Sequence, residues 1–93
     1  MDMNIESDSL KTEIKQAIIR SLRLPLTVGD IGDTTPLFGE GLGLDSIDVL
    51  ELVIEIERTF GARIEDEKTG MDVLRSVDTI AAFITRHREN STA

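Results

Sequence analysis

Apolar side chains recur every three or four residues in three segments of the chain, which is the spacing of a single helix face. These segments are residues 8–22, 46–60 and 77–87. Each has a polar residue at its start that can cap a helix: Ser7 or Asp8, then Asp45, then Ser76. Gly61 directly follows the middle segment, as is common at a helix C-terminus. The pattern predicts three full helices.

The interval between the first two helices has no apolar period. Residues 23–45 contain two prolines and five glycines, with isolated apolar residues between them. Because loops of this length are rarely structureless in compact domains, we expect an ordered loop with a short helical turn near residues 33–38. A short helix over residues 65–71 completes an all-α, four-helix bundle with a short third helix and a long first loop. We expect a single domain over residues 1–93, ordered from about 8 to 87 with frayed termini.

The middle helix divides into three faces at 100° per residue. The first is apolar and predicts an ordinary core face, formed by Val49, Leu52, Val53, Ile56 and Phe60. The second is a stripe of carboxylates, Asp48, Glu51 and Glu55. The third is again apolar and lies beside the stripe, away from the core; it consists of Ile47, Leu50 and Ile54.

The charge of the chain is concentrated around this helix. The formal net charge is −8, and eight of the 18 acidic residues lie in residues 24–57, which contain no Lys or Arg. The remaining ten acidic residues are balanced by all ten basic ones. This charge and an aromatic content of 3% disfavour binding to nucleic acids and anionic membranes. We therefore expect protein partners with basic surfaces.

The chain lacks the usual side chains of catalysis. It has no cysteine, and its only histidine, His87, lies in the predicted last helix, far along the chain from any candidate nucleophile. We expect no metal site and no enzyme activity, and we expect His87 to face solvent. The first nine residues are polar and acidic, unlike a secretory signal, and no apolar run approaches the roughly 20 residues that span a bilayer. A cytoplasmic protein without membrane insertion is expected.

One motif points to a family. The sequence Gly43-Leu44-Asp45-Ser46-Ile47, at a predicted helix start after a long loop, resembles the phosphopantetheine attachment motif of acyl carrier proteins. The resemblance extends over roughly residues 8–86. It implies that a transferase moves 4′-phosphopantetheine from coenzyme A onto Ser46, that Asp45 completes the recognised pair, and that acyl groups are then held as thioesters. Backbone N–H groups at the helix start favour the added phosphodiester charge, while Asp45 and Asp48 oppose it.

The resemblance also implies a docking surface. In the family this helix contacts partner enzymes, so Ile47, Asp48, Leu50, Glu51, Ile54 and Glu55 are the expected docking residues. The partners implied are acyl-loading, condensing and modifying enzymes of fatty-acid or polyketide synthesis, acting on a monomeric carrier. Arg58 stands where carriers of fatty-acid synthesis commonly have an acid, and residues 65–76 form a slightly longer stretch. Both departures suggest a specialised type II carrier.

Other interpretations remain open at this level. Ser46 can be an ordinary serine at a helix start, the acidic stripe a solvated face, and Ile47, Leu50 and Ile54 part of the core. A peptidyl or D-alanyl carrier has the same architecture. A carrier-fold docking module that is never modified is the alternative from a different functional class, against which the Asp45-Ser46 pair argues.

Overall fold

Helices build the molecule throughout the part of the chain that the computed structural model describes, residues 5–38 and 41–91. The helices are α1 (Ile5–Leu22), α2 (Ser46–Phe60), α3 (Glu67–Val73) and α4 (Val77–Ser91), with a 3-10 helix at Val28–Asp30 in the loop between α1 and α2. The only β-type pairing in this part of the chain is one isolated bridge between Phe38 and Leu44. The predicted all-α, four-helix architecture with a short third helix is confirmed.

The core lies where α1 packs against α2 and α4, and the short α3 closes the bundle between α2 and α4. Its most enclosed side chains come from every helix except α3 and from the loops: Ile14, Ile18, Ile31, Leu37, Leu52, Ile56, Leu74, Val77, Ile80 and Ile84. Burying each of these stabilises the fold by roughly 1.5–3 kcal/mol. The predicted core face of α2 is buried apart from Val53, which packs against the core while remaining half-exposed.

Several predicted boundaries were wrong. α1 begins at Ile5, so neither Ser7 nor Asp8 is its N-cap. The helical turn of the first loop lies at Val28–Asp30 and not near residues 33–38, because Thr27 and Asp30 exchange backbone and side-chain hydrogen bonds that favour a turn there. The short third helix was expected within residues 65–71 and to end near Gly70; α3 begins at Glu67, with Asp66 as its cap, and continues to Val73. α4 continues beyond His87 to Ser91; the rest of the expected fraying concerns residues outside the described ranges.

Backbone hydrogen bonds connect the long first loop to the residues around the start of α4 and hold the end of the loop beside the start of α2. The Leu37 N–H donates to the Arg75 carbonyl at 3.0 Å, and the Leu44 N–H donates to the Leu37 carbonyl at 3.0 Å. The Asp78 N–H donates to the Asp33 carbonyl at 2.9 Å. These bonds connect the loop to the start of α4 and hold its last residues where α2 begins, as the prediction of an ordered loop requires.

Charges reinforce the same attachment. Lys11 of α1 lies 2.9 Å from Asp78 of α4, and Lys15 lies 2.8 Å from Asp33 in the loop. The hydrogen bond from Lys15 is the main reason that the pKa of Asp33 is lowered, and the hydrogen bond to Asp78 is the main reason that the pKa of Lys11 is raised. The four side chains are partly exposed, so they orient the loop more than they stabilise it.

Gly41 is a test of how closely the loop is packed. A Cβ at this position would overlap the Pro36 carbonyl oxygen, which accepts a hydrogen bond from the Leu42 N–H at 3.1 Å. We expect Gly41→Ala to lower the free energy of unfolding by about 1–3 kcal/mol, because the backbone must move apart. Urea denaturation measures this. Gly29→Ala is the control, since a Cβ there meets only Thr27 Oγ1 at 3.9 Å. Equal, small effects of both changes would contradict the close approach.

Candidate functional site

The start of α2 is fixed by two aspartates that cap each other. Asp45 Oδ1 accepts hydrogen bonds from the N–H groups of Ile47 (3.0 Å) and Asp48 (3.1 Å). In return, Asp48 Oδ2 accepts from the Asp45 N–H at 3.0 Å. This reciprocal arrangement satisfies three backbone donors that a helix start otherwise leaves unpaired. Asp45 is therefore confirmed as the N-cap, and Asp48 has a structural role that the sequence pattern did not indicate.

Ser46 occupies the first position of the helix and is exposed. The capping arrangement changes the electrostatics expected around it. Because Asp45 takes the N–H groups of Ile47 and Asp48, these donors are not available to an anion on Ser46. Two carboxylates flank the serine instead, so a phosphodiester here would be accessible but not neutralised by the helix start.

An apolar cleft of about 430 Å³ opens beside Ser46, between α2 and α3. Its walls include Val49, Leu50 and Val53 of α2 and Met71 of α3. The cleft also borders Ile64, Glu65, Asp66 and Gly70. A flexible chain attached to Ser46 would have apolar surface directly within reach. The contribution of Met71 is not evident from the sequence, because a helix as short as α3 shows no clear apolar period.

The third face of α2 forms an exposed apolar patch. Ile47 is 70% exposed, Leu50 61% and Ile54 49%. Met71 across the cleft is 43% exposed and extends the patch. The interpretation of Ile47, Leu50 and Ile54 as core residues is therefore wrong. Large apolar side chains grouped at a surface are typical of contact sites for other molecules.

Only part of the predicted acidic stripe of α2 is exposed to solvent. Glu51 is exposed and Asp48 half-exposed, but Glu55 is buried between α1 and α2. Its Oε2 accepts hydrogen bonds from Arg20 Nη2 of α1 and, at 2.9 Å, from the Thr59 hydroxyl. Glu55 was predicted to be a docking residue, but its carboxylate is enclosed beside Arg20, unlike the exposed carboxylate of Glu51.

The environment of Glu55 keeps it ionised. The hydrogen bond from Arg20 is the largest cause lowering its pKa; burial acts in the opposite direction, and the Thr59 hydroxyl and the nearby Arg58 charge lower it further. The Glu55 side chain is only 12% exposed, whereas that of Arg20 is 62% exposed. The pair thus hides the negative partner and presents the positive one. Arg20 was missed by sequence analysis, since it lies on another helix 35 residues away.

Other kinds of site find no support in the described residues. Within residues 5–38 and 41–91, no group of three or more His, Cys, Asp or Glu side chains is arranged to hold a metal ion. None of the helices in these ranges is long and apolar enough to cross a bilayer. His87 is half-buried and its ring stacks on Phe83 with centroids 6.5 Å apart, so the expectation that it faces solvent is met only in part.

Comparison with known proteins identifies the family. A family model described as a phosphopantetheine attachment site matches residues 12–84, most of the chain. The chain belongs to this family. The match covers all of α2 and the loop before it, and thus both the capped serine and the apolar patch. The prosthetic group predicted from the motif, 4′-phosphopantetheine, is the one for which the family is described.

Individual relatives agree with the predicted resemblance. An acyl carrier protein of Onion yellows phytoplasma (strain OY-M) is 44% identical over 50 residues, covering 54% of this chain and 63% of that protein. Mitochondrial acyl carrier protein 2 of Arabidopsis thaliana is 40% identical over 50 residues, covering 54% and 38%. An anthracycline acyl carrier protein of Streptomyces sp. (strain C5) is 46% identical over 41 residues, covering 44% and 49%. The chain thus spans less than two thirds of the length of these curated relatives.

The residues at the start of α2 fit the prosthetic group of the family. Attachment needs a hydroxyl that a transferase can reach, and Ser46 is exposed at the helix start. A flexible arm needs surface along which to lie, and the cleft supplies apolar walls next to the serine. The flanking carboxylates of Asp45 and Asp48 oppose the charge of a phosphodiester but leave the hydroxyl open.

Replacement of Glu55 tests its buried role. We expect Glu55→Gln to lower the free energy of unfolding at pH 7 by about 1–3 kcal/mol, because the charged hydrogen bond from Arg20 is weakened. The folded pKa is lowered, so this contribution is fully present above the usual glutamate value of about 4.3 and is lost as the pH falls through the lower folded value. Urea denaturation between pH 3 and 7 measures it.

The matched control for this prediction is Glu51→Gln, which removes the same charge one turn earlier at an exposed position. Its effect on stability should stay within about 0.5 kcal/mol at every pH. If the two variants lost equal stability at pH 7, Glu55 would have to be an ordinary surface residue.

Proposed function

We propose that this chain is an acyl carrier, modified with 4′-phosphopantetheine on Ser46, and not itself an enzyme. The observation that carries the proposal is the position of Ser46: exposed, first in a capped helix, and beside an apolar cleft, in a chain of the phosphopantetheine attachment site family. The names of the relatives, which include carriers from organelles, bacteria and an anthracycline system, support acyl cargo over peptidyl or D-alanyl cargo.

Attachment of the prosthetic group requires only two contributions from the chain's own residues, those of Ser46 and Asp45. The Ser46 hydroxyl oxygen forms the new bond to phosphorus, loses its proton, and displaces adenosine 3′,5′-bisphosphate from coenzyme A. Asp45 holds the helix start in place and so fixes where that oxygen lies. No base in the motif activates the hydroxyl, so the transferase must supply one. Once attached, the prosthetic group supplies the thiol that carries acyl groups as thioesters.

The exposed part of α2 is the proposed docking surface. Ile47, Leu50 and Ile54 offer apolar contact, and Asp48 and Glu51 offer negative charge beside it. We assign the transferase and the acyl-loading, condensing and modifying enzymes of fatty-acid or polyketide synthesis to this surface. Apolar contact supplies most of the affinity in such an interface, while charge speeds the encounter. Glu55 does not belong to the surface, because Arg20 encloses it.

Intact mass spectrometry tests the attachment. Incubation of the chain with coenzyme A, Mg²⁺ and a broad-specificity phosphopantetheinyl transferase should add the mass of one phosphopantetheine. Ser46→Ala should add none, because the accepting hydroxyl is gone. Ser9→Ala, which removes an exposed serine from α1, is the control and should be modified like the wild type. Modification of Ser46→Ala, or of none of the three proteins when their folding is verified by circular dichroism, would refute the proposal.

A charge reversal tests docking with the same transferase. We expect Glu51→Lys to lower kcat/KM for the modification roughly two- to fivefold at low ionic strength, the effect of an exposed charge pair. The loss should disappear at about 1 M salt, where the Debye length is about 3 Å. Glu13→Lys changes the net charge equally at an exposed position of α1 and should leave kcat/KM unchanged. Identical losses for the two variants would show that net charge, and not docking on α2, determines the rate.

A further inference from the structure

On the side of α1, the C-terminal half of α2 presents exposed positive charge, although the stripe was predicted to be acidic along its length. Glu55 is enclosed, and the guanidinium that pairs with it, that of Arg20, is 62% exposed. Arg58, one turn further along α2, is also exposed and lies close enough for its charge to act on Glu55. Two arginines from two helices thus surround one buried carboxylate. We call Arg20 and Arg58 the basic pair.

Arg58 lies on the same face of α2 as the exposed apolar patch. At 100° per residue, Glu51, Ile54 and Arg58 fall within an arc of about 60°. From Glu51 to Arg58 is seven residues, which corresponds to two turns and roughly 10 Å along the axis. Along this face the order is therefore acidic near Ser46, apolar in the middle, and basic at the end.

The other exposed charged residue near the C-terminal end of α2, Glu57, projects from a different side of the helix. Glu57 is exposed, but it follows Glu55 and precedes Arg58, which puts it about 100° away from Arg58 around the helix. Arg20 reaches Glu55 from α1, on the opposite flank. The basic pair therefore borders the apolar patch on the side of α1, and Glu57 borders it on the other side. A partner that covers Leu50 and Ile54 meets both the acidic and the basic end.

We propose that the enzymes that dock on α2 have a bipolar surface: a basic group facing Asp48 and Glu51, an apolar contact for Leu50 and Ile54, and a carboxylate facing the basic pair. This inference rests on the proposed function and gives its docking surface a fixed polarity. It also replaces the expectation of partners whose docking surfaces are basic throughout. An enzyme whose docking surface is basic throughout would place a positive charge opposite Arg58. This repulsion disfavours docking between this chain and enzymes of unrelated pathways.

The test uses a condensing enzyme with a basic docking surface, together with variants in which each basic residue of that surface is replaced by Glu, one at a time. The wild-type chain is loaded at Ser46 with a pantetheine analogue whose electrophile traps the active-site cysteine of the enzyme, and the rate of crosslinking is measured. At least one enzyme variant should crosslink roughly two- to fivefold faster than the parent enzyme, since a like-charge contact with Arg58 becomes an ion pair.

The same enzymes are then offered Arg58→Glu. We expect the preference to reverse: the favoured enzyme variant becomes slower than the parent, because its carboxylate now faces another. Arg58→Gln, which keeps the helix free of a new negative charge at its C-terminal end, should abolish the preference without reversing it. Arg86→Glu is the control, since it makes the same charge change at an exposed position of α4 and should behave like the wild type.

Each other outcome overturns the inference. If every enzyme variant is slower than the parent with wild-type chain, the docking partner is basic throughout. If Arg58→Glu and Arg86→Glu change the rates alike, net charge and not position is decisive. A chain that is loaded but crosslinks to no enzyme does not dock through α2. A chain that cannot be loaded at Ser46 contradicts the proposed function instead, and mass spectrometry before crosslinking separates that failure from the others.

Discussion

The reciprocal capping of Asp45 and Asp48 is the interaction on which the candidate site depends. It fixes the residue at which α2 begins, so that Ser46 is the first residue of the helix and is exposed. The rotation of α2 about its axis is set by the burial of its core face, which includes Leu52 and Ile56, and this leaves Ile47 and Leu50 at the surface. The cap and the buried face together determine which surface the molecule presents beside Ser46.

The cap is itself held from outside the helix. Leu44, just before the cap, is buried and donates its N–H to the Leu37 carbonyl, and the Leu37 N–H donates to the carbonyl of Arg75, between α3 and α4. Consecutive backbone hydrogen bonds in the loop therefore connect the start of α2 to the segment between α3 and α4. Lys11 and Lys15 of α1 form ion pairs with Asp78 and Asp33, and so attach the loop and the start of α4 to α1. A loop with little secondary structure can in this way position a helix start as firmly as a regular element does.

The sequence predicted what depends on local periodicity and failed where distant residues decide. The bounds of α2 and its cap followed from the run 46–60 between Asp45 and Gly61. The helix angles placed Ile47 and Leu50 away from the core face but left their burial open, and the family resemblance favoured the exposure that the structure has. The burial of Glu55 could not follow, since its angle matches that of Asp48. Only the approach of Arg20, on a different helix, distinguishes the two carboxylates.

The same approach explains why charge along the chain is a poor guide to charge at the surface. Residues 24–57 contain no basic residue, which predicts a docking face of one sign. Folding brings Arg20 against this segment and removes Glu55 from solvent, while Arg58 follows the segment immediately and shares its face. The Arg20–Glu55 pair is neutral as a whole, so Glu55 no longer makes this face acidic, and Arg58 adds a positive charge to it. The polarity of the face along α2 is thus a property of the packing of α1 on α2, and a partner recognises that packing together with the motif at Ser46.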